Sequence, residues 1–232
     1  SFMGVGRSAK CYPITCDNLT DVLICFFSDS ASIYFNIRSK IFARHNKTFT
    51  KSMQWRIWNF TAETMVDNFD LNITPEAYRG ESAKLFKEKV AEIKFMPGAE
   101  RLVRHLHSHK VPIAIATGNN KKFFDLIPDH FKQFFSLFHH IVTGYDPAVK
   151  NGKPSPDIYL ICMDRFQMSL EPKEVLVFED LPQGVLGARR AGMQVVMVPD
   201  PDLPENFRSK ATKVLDTLEH FQPSDFGLPP YI

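Results

Sequence analysis

Three short stretches carry side chains suited to chemistry on a charged ester. Thr117-Gly118-Asn119-Asn120 offers a hydroxyl and small residues whose backbone N–H groups could hold an anion. Gly152-Lys153-Pro154-Ser155-Pro156-Asp157 sets an ammonium between a Gly and a Pro that fix its loop. Glu179-Asp180 sets two carboxylates side by side, hard oxygen donors of the kind that bind Mg²⁺. A hydroxyl, an ammonium and a carboxylate pair describe a phosphoryl-transfer site, provided that one fold brings them together.

The apolar pattern supplies such a fold. Val111 to Ala116 and Val175 to Phe178 are short apolar runs that end at the first and third stretches, and Ile141 to Thr143 and Val195 to Val198 read as further strands. Helices are expected at Ala99 to His109, with Leu102, Val103 and Leu106 turned inward, and at about 156–166 and 182–191. Strand and helix alternate, which predicts an α/β core: a Rossmann-like, three-layer parallel sheet. The first strand is Val22 to Phe27, within TDVLICFFSDS; six consecutive apolar residues fit a strand buried on both faces. Its end, Phe27 to Ser30, should border the crevice where such sheets do chemistry.

Between this strand and the next lies a wholly helical block. Ile33, Ile37 and Ile41 share one face, Met65, Val66 and Phe69 another, and Ala83 to Ile93 a third; Thr74-Pro75-Glu76 marks a fresh helix start. Residues 30–96 are therefore expected to form a small all-helical cap domain inserted after the first strand, with residues 1–29 and 97–232 as the core. Pro97-Gly98 punctuates the return. Residues 3–19 read as a loosely attached lead-in behind an added Ser1-Phe2, and the tail from Phe221 as irregular chain on the core surface.

Composition narrows the classes. The 232 residues are 44% hydrophobic and 23% charged with a formal net charge of +2, and no basic face points to nucleic acid. No apolar run approaches the roughly 18 residues of a membrane helix, and no signal-peptide pattern is present, so a cytoplasmic protein is expected, the nucleus being open as well. Cys11, Cys16, Cys25 and Cys162 lack metal-type spacing and read as reduced thiols. The sequons at Asn18, Asn46, Asn59 and Asn72 then read as chance matches.

MPGAERLVRHLHSHKVPIAIAT (96–117), FFSLFHHIVTGYDP (134–147), NGKPSPDIYL (151–160), VLVFEDLPQGV (175–185), AGMQVVMVPD (191–200) and FGLPPY (226–231), in this order, carry a family resemblance. The chain resembles the haloacid dehalogenase-like hydrolases with a helical cap, and among them the pseudouridine-5′-phosphatase family of animals. The resemblance implies that Thr117, with Gly118 and Asn119, binds the transferring phosphoryl group, that Lys153 neutralises its charge, and that Glu179 and Asp180 surround Mg²⁺. It also implies a first strand ending in Asp-x-Asp-Gly, nucleophile and general acid/base. That motif does not carry over: an ungapped alignment from Asp29-Ser30 places Val22 and Ile24 there, and a three-residue deletion places Cys25 and Phe27.

Phosphomonoester hydrolysis needs up to about 10²¹-fold acceleration, and loss of a covalent nucleophile costs on the order of 10⁶. The expectation is therefore a degenerate phosphatase, a pseudoenzyme that binds a protein partner or holds a small phosphorylated ligand without hydrolysis. The alternative is an active Mg²⁺-dependent phosphatase for a small phosphomonoester such as pseudouridine 5′-monophosphate, with Asp29 as substitute nucleophile. Cys25 as a thiolate is set against a small core residue. His105, His107 and His109 as metal ligands are set against a solvated helix end. Trp55, Trp58 and Phe60 as a stacking platform are set against cap packing.

Overall fold

The computed structural model describes residues 21–24, 30–57, 61–119 and 121–231, with the side chains of 21–24 and 121–123 excepted. The lead-in, Cys11, Cys16, Cys25, Phe27, Asp29, Trp58, Phe60 and Asn120 lie outside the described residues. The chain runs β1 (Asp21–Ile24), then four helices, α1 (Ser30–Arg44), α2 (Lys51–Arg56), α3 (Ala62–Phe69) and α4 (Pro75–Lys89). It continues α5 (Ala99–Ser108), β2 (Ile113–Thr117), α6 (Lys121–Leu126), α7 (Asp129–Phe135), β3 (His140–Thr143), α8 (Asp157–Asp164), β4 (Val175–Glu179), α9 (Pro182–Arg190), β5 (Gln194–Met197) and β6 (Lys213–Val214).

The strands form one parallel sheet in the order β3-β2-β1-β4-β5-β6. Chain order reverses at β1, so the carboxyl ends of β1, β2 and β4 frame the crevice of an open α/β sheet. Ile24 pairs with Ile115 on one side and Phe178 on the other. Thr117 thus stands two residues past the level of Ile24 and Glu179 one residue past it.

Period-2 alternation divides the core into two layers. Ile113, Ile115, Leu176 and Phe178 face α5 and α7, while Ala114, Ala116, Val175 and Val177 face α8 and α9. Both faces of the sheet are covered, which explains the uninterrupted apolar runs. The helices between strands fall at Asp157–Asp164 and Pro182–Arg190, within the expected spans.

Strand β2 begins at Ile113, two residues later than its apolar run, because Val111 N–H closes α5 by donating to Leu106 O at 3.0 Å and Pro112 has no N–H to give a ladder. Three elements were not anticipated. Helices α6 and α7 lie in a Phe-rich stretch, where Phe131, Phe134 and Phe135 stand at helical i, i+3, i+4 spacing, and the two-residue edge strand β6 has too few residues for a pattern. The tail is also more than a surface wrap. Phe221 is fully buried, its ring 4.9 Å from that of Phe178, and Tyr231 receives the Arg101 guanidinium at 4.3 Å.

The described part of residues 30–96 is helical, as its pattern predicts. Thr74 caps α4 by accepting from Ala77 N–H at 3.2 Å, with Pro75 in the first turn, and α4 runs to Lys89 before a 3₁₀ turn at Val90–Glu92. The chain re-enters the core at Gly98. Its φ is 83°, and an added Cβ would stand 2.5 Å from Glu219 N, so only glycine fits this turn. Helix α2 is moored to the core: Lys51 Nζ lies 3.0 Å from Asp200 Oδ2 and 2.7 Å from Asp202 Oδ2, and Trp55 joins the core layer that holds Ala114, Ala116 and Leu203.

Candidate functional site

Of the side chains singled out, Lys153 and Glu179 meet in space. Lys153 Nζ donates to Glu179 Oε1 at 2.6 Å and to the Ala116 carbonyl at 3.3 Å, which bridges the loop before α8 to the ends of both β4 and β2. The ammonium is largely buried and the carboxylate almost wholly so, with 17% and 3% of the side chains exposed. Tyr159, on α8, donates to the same Oε1 at 2.6 Å and lies 2.9 Å from the Gly184 carbonyl. Burial strengthens each of these contacts and makes the loss of any one expensive.

The Lys153 loop is built from its neighbours. The Asp157 carboxylate, at the start of α8, accepts from Asn151 N–H at 2.9 Å, from Asn151 Nδ2 at 3.2 Å and from the Ser155 hydroxyl. These bonds, that of Ser155 foremost, hold its carboxyl below the usual range. Arg190 of α9 donates to the Pro154 carbonyl at 3.0 Å. The loop is thereby tied to two helices, and the long lysine stem has one direction to point.

Thr117 ends β2 buried, and its Oγ accepts from Asn119 N–H at 3.2 Å. This N–H is thus engaged with its own turn. Gly118 is exposed and Asn119 half-buried. The loop after β3 closes against this turn: Gly144 N–H donates to Thr117 O at 2.7 Å, and a Cβ on Gly144 would meet the Gly118 Cα at 3.3 Å.

The two acidic residues part company. Glu179 Oε1 is engaged by Lys153 and Tyr159, and Oε2 receives Asp180 N–H at 3.3 Å, so Glu179 serves to orient the lysine. Asp180, one residue further, has its pKa pushed up to about 7 by burial first and by the Glu179 carboxylate second, with Lys153 opposing. A carboxyl whose ionised form is so poorly compensated fits a hard cation as its missing partner. Among the described residues, no three His, Cys, Asp or Glu side chains form a ready metal cluster.

A stability consequence follows for the metal-free protein. An Asp in the unfolded chain titrates near about 3.9, below its folded value, so the folded state holds the proton more tightly. The stabilisation is full at low pH and is lost as pH rises through about 7. The difference in urea midpoint between wild type and Asp180→Asn, measured in chelator from pH 4 to 8, should therefore move against the wild type as pH rises. A pH-independent difference would refute the assignment.

Other expected candidates have structural duties. His105 Nε2 is 2.8 Å from Pro229 O, and its ring is 4.7 Å from Tyr231, so it anchors the tail on α5; His107 is exposed. Cys162 is buried, its thiol 3.5 Å from the Ile115 carbonyl, and burial pushes its pKa far up. Trp55 is core, not platform. Sequence reasoning missed Tyr159 and Gly184; a lone hydroxyl in the apolar run DIYLIC was the signal for the first.

The chain matches the family model described as haloacid dehalogenase-like hydrolase over residues 27–198, beginning beyond the end of β1. It is 40% identical over 210 residues to (DL)-glycerol-3-phosphatase 1, mitochondrial, of Arabidopsis thaliana, covering 88% of this chain and 70% of that protein. It is 39% identical over 208 residues to "Probable pseudouridine-5'-phosphatase" of Drosophila melanogaster, covering 88% and 90%. Among solved structures, CbbY from Rhodobacter sphaeroides in complex with phosphate superimposes with a TM-score of 0.69 at 16% identity, covering 87% of this chain and 96% of that one. A family IA, variant 3 hydrolase from Entamoeba histolytica gives 0.73 at 18%, covering 90% and 98%.

Proposed function

Since the chain belongs to the haloacid dehalogenase-like hydrolases, we propose that its crevice takes the phosphoryl group of a small phosphomonoester and acts on it as a Mg²⁺-dependent phosphatase. The observation that carries this reading is the Lys153 ammonium, fixed between Glu179 Oε1 and the carbonyl of Ala116, the residue before Thr117. A pre-oriented cation with a short backbone turn next to it neutralises the phosphoryl oxygens as charge develops. Thr117 offers its hydroxyl to the same group, and Glu179 keeps the ammonium aimed. Asp180 would hold Mg²⁺, whose charge would further offset that of the phosphoryl group. The relatives' names suggest glycerol 3-phosphate and pseudouridine 5′-monophosphate as substrates.

One observation favours a second reading, binding without turnover. The first strand and its exit, DVLICFFSD, have no Asp-x-Asp. Hydrolysis then needs another nucleophile, and Asp29 is the first carboxylate to follow the strand. In the second reading the phosphatase scaffold would serve a regulatory role with a protein partner.

The deciding experiment is phosphate release from the two named esters with and without Mg²⁺. Turnover that requires Mg²⁺ and is lost in Asp29→Asn supports hydrolysis from Asp29. No release by the folded protein, with phosphate still protecting it against thermal unfolding, establishes the second reading. Neither release nor protection would refute phosphoryl recognition itself. Among the described residues no helix is long and apolar enough to cross a membrane.

A further inference from the structure

One large aromatic side chain of the core has no part in the chemistry above. Tyr145 follows the end of β3 by two residues and is 72% exposed, the most of any large hydrophobic side chain among the described residues. A single exposed aromatic is ordinary on a protein surface. This one is fixed beside the turn that ends β2: Thr143 pairs with Thr117, and Gly144, which donates to Thr117 O at 2.7 Å, is seated against Gly118. On the other side of Tyr145, Asp146 N–H donates to Thr143 O at 3.0 Å, and the Asp146 carboxylate takes Arg165 on both oxygens at 2.8 Å and Ala148 N–H at 3.0 Å. The backbone is thus held before and after Tyr145, while no ring or guanidinium of the described residues stacks on it.

Sheet order gives the direction of the side chain. Burial foremost pushes the pKa of Tyr34, on α1, up to about 12; Arg38 opposes the rise and the Tyr145 phenol adds to it. Tyr145 therefore reaches toward the helix that follows β1. Because β2 lies between β3 and β1, a side chain that leaves the end of β3 in that direction passes over the end of β2, which is Thr117. Gly118 and Gly144 contribute no side chain to that space.

We propose that Tyr145, a residue of the core sheet's own loops, stacks its ring on a planar ring in the alcohol portion of the phosphomonoester, so that the substrate class is a ring-bearing, nucleoside-like ester and not a short polyol phosphate. This rests on the phosphomonoester reading of the site. A tyrosine offers a large flat face with only two side-chain torsions to fix, and a preformed loop lowers the ordering cost further. Stacking of a base on such a ring raises affinity by about 5- to 100-fold, whereas a glycerol chain has no face to offer.

The test is titration calorimetry with Mg²⁺ present and two probes whose P–C bond is not hydrolysed: the methylenephosphonate analogue of pseudouridine 5′-monophosphate, and 3,4-dihydroxybutylphosphonate, which mimics glycerol 3-phosphate. Wild type should bind the ring-bearing probe about tenfold more tightly. Tyr145→Ala should lose most of that ratio with the affinity for the dihydroxy probe unchanged, and Tyr145→Phe, which keeps the ring and loses the hydroxyl, should retain it. Exposure of the side chain lets both variants keep the fold. A ratio unchanged in Tyr145→Ala, equally lost in Tyr145→Phe, or absent in wild type that still binds the dihydroxy probe overturns the stacking role and leaves the phosphoryl site standing. Failure of wild type to bind either probe overturns both.

Discussion

Replacing Lys153 by Met should destabilise the fold by about 3–5 kcal/mol, the usual cost of removing one member of a buried ion pair. The reason is Glu179. Its carboxylate is 3% exposed and holds three donors: the Lys153 ammonium, the Tyr159 hydroxyl and the Asp180 N–H. Without the ammonium, a charge remains in the interior with only neutral partners, and the group must either take a proton or draw in water. The effect should be visible as a lower urea midpoint with unchanged slope. Lys153→Met combined with Glu179→Gln should recover a large part of the loss, because the surviving amide carries no charge. Phosphate protection, by contrast, should stay absent in the double variant, since the cation itself is gone. Recovery of stability without recovery of phosphate binding separates the structural duty of the pair from its proposed use. If Lys153→Met is as stable as wild type, the pair is a surface ornament and the site has been read wrongly.

Gly184→Ala should invert the ordinary sign of its class. Inside a helix, Gly to Ala normally stabilises by about 1 kcal/mol through backbone entropy. Gly184 lies in α9, yet an added Cβ would stand 2.2 Å from Glu179 Oε2 and 2.4 Å from Oε1. The end of a glutamate is usually free to swing aside. Here Lys153 and Tyr159 hold it, and the Gly184 carbonyl itself lies 2.9 Å from the Tyr159 hydroxyl. Relief would break the network, so a net destabilisation of about 1–3 kcal/mol is expected, the range of core overpacking. Thermal or chemical denaturation measures it directly. Gly184→Ala and Lys153→Met act on the same carboxylate, and their effects should be non-additive, with the double variant less destabilised than the sum. A stabilised Gly184→Ala protein would mean that Glu179 is free to move and that Lys153 is not oriented by it.

Much of this architecture was legible in one dimension. Strands buried on both faces appear as unbroken apolar runs, and Val175 to Phe178 and Val195 to Val198 sit within a residue of β4 and β5. Thr74-Pro75 marked a helix start by local chemistry that needs no tertiary partner, and Thr117, Lys153 and Glu179 were placed at strand and loop ends by the same logic. The parallel alternation then forces those ends to one edge of the sheet. Helix α7 was missed although Phe131, Phe134 and Phe135 sit at the i, i+3, i+4 spacing of a buried helical face. The burial of Phe221 also depends on a surface created only when β4 presents Phe178.

The division of labour between Glu179 and Asp180 belongs to the tertiary structure alone. As letters they are an equivalent acidic pair suited to a metal. In space, Tyr159 arrives from α8, Lys153 from the preceding loop and Gly184 from α9, and all three surround the first carboxylate while leaving the second poorly compensated. No spacing rule encodes that outcome, because the three partners lie 5 to 26 positions away in sequence and are brought together by sheet order. The sequence by itself determined that an α/β sheet with a helical insertion would carry a hydroxyl, an ammonium and carboxylates on one edge, since period and capping are local. Which carboxylate orients the lysine, and which is left poorly compensated, was decided by packing, because desolvation and hydrogen bonding depend on what surrounds a group and not on what precedes it.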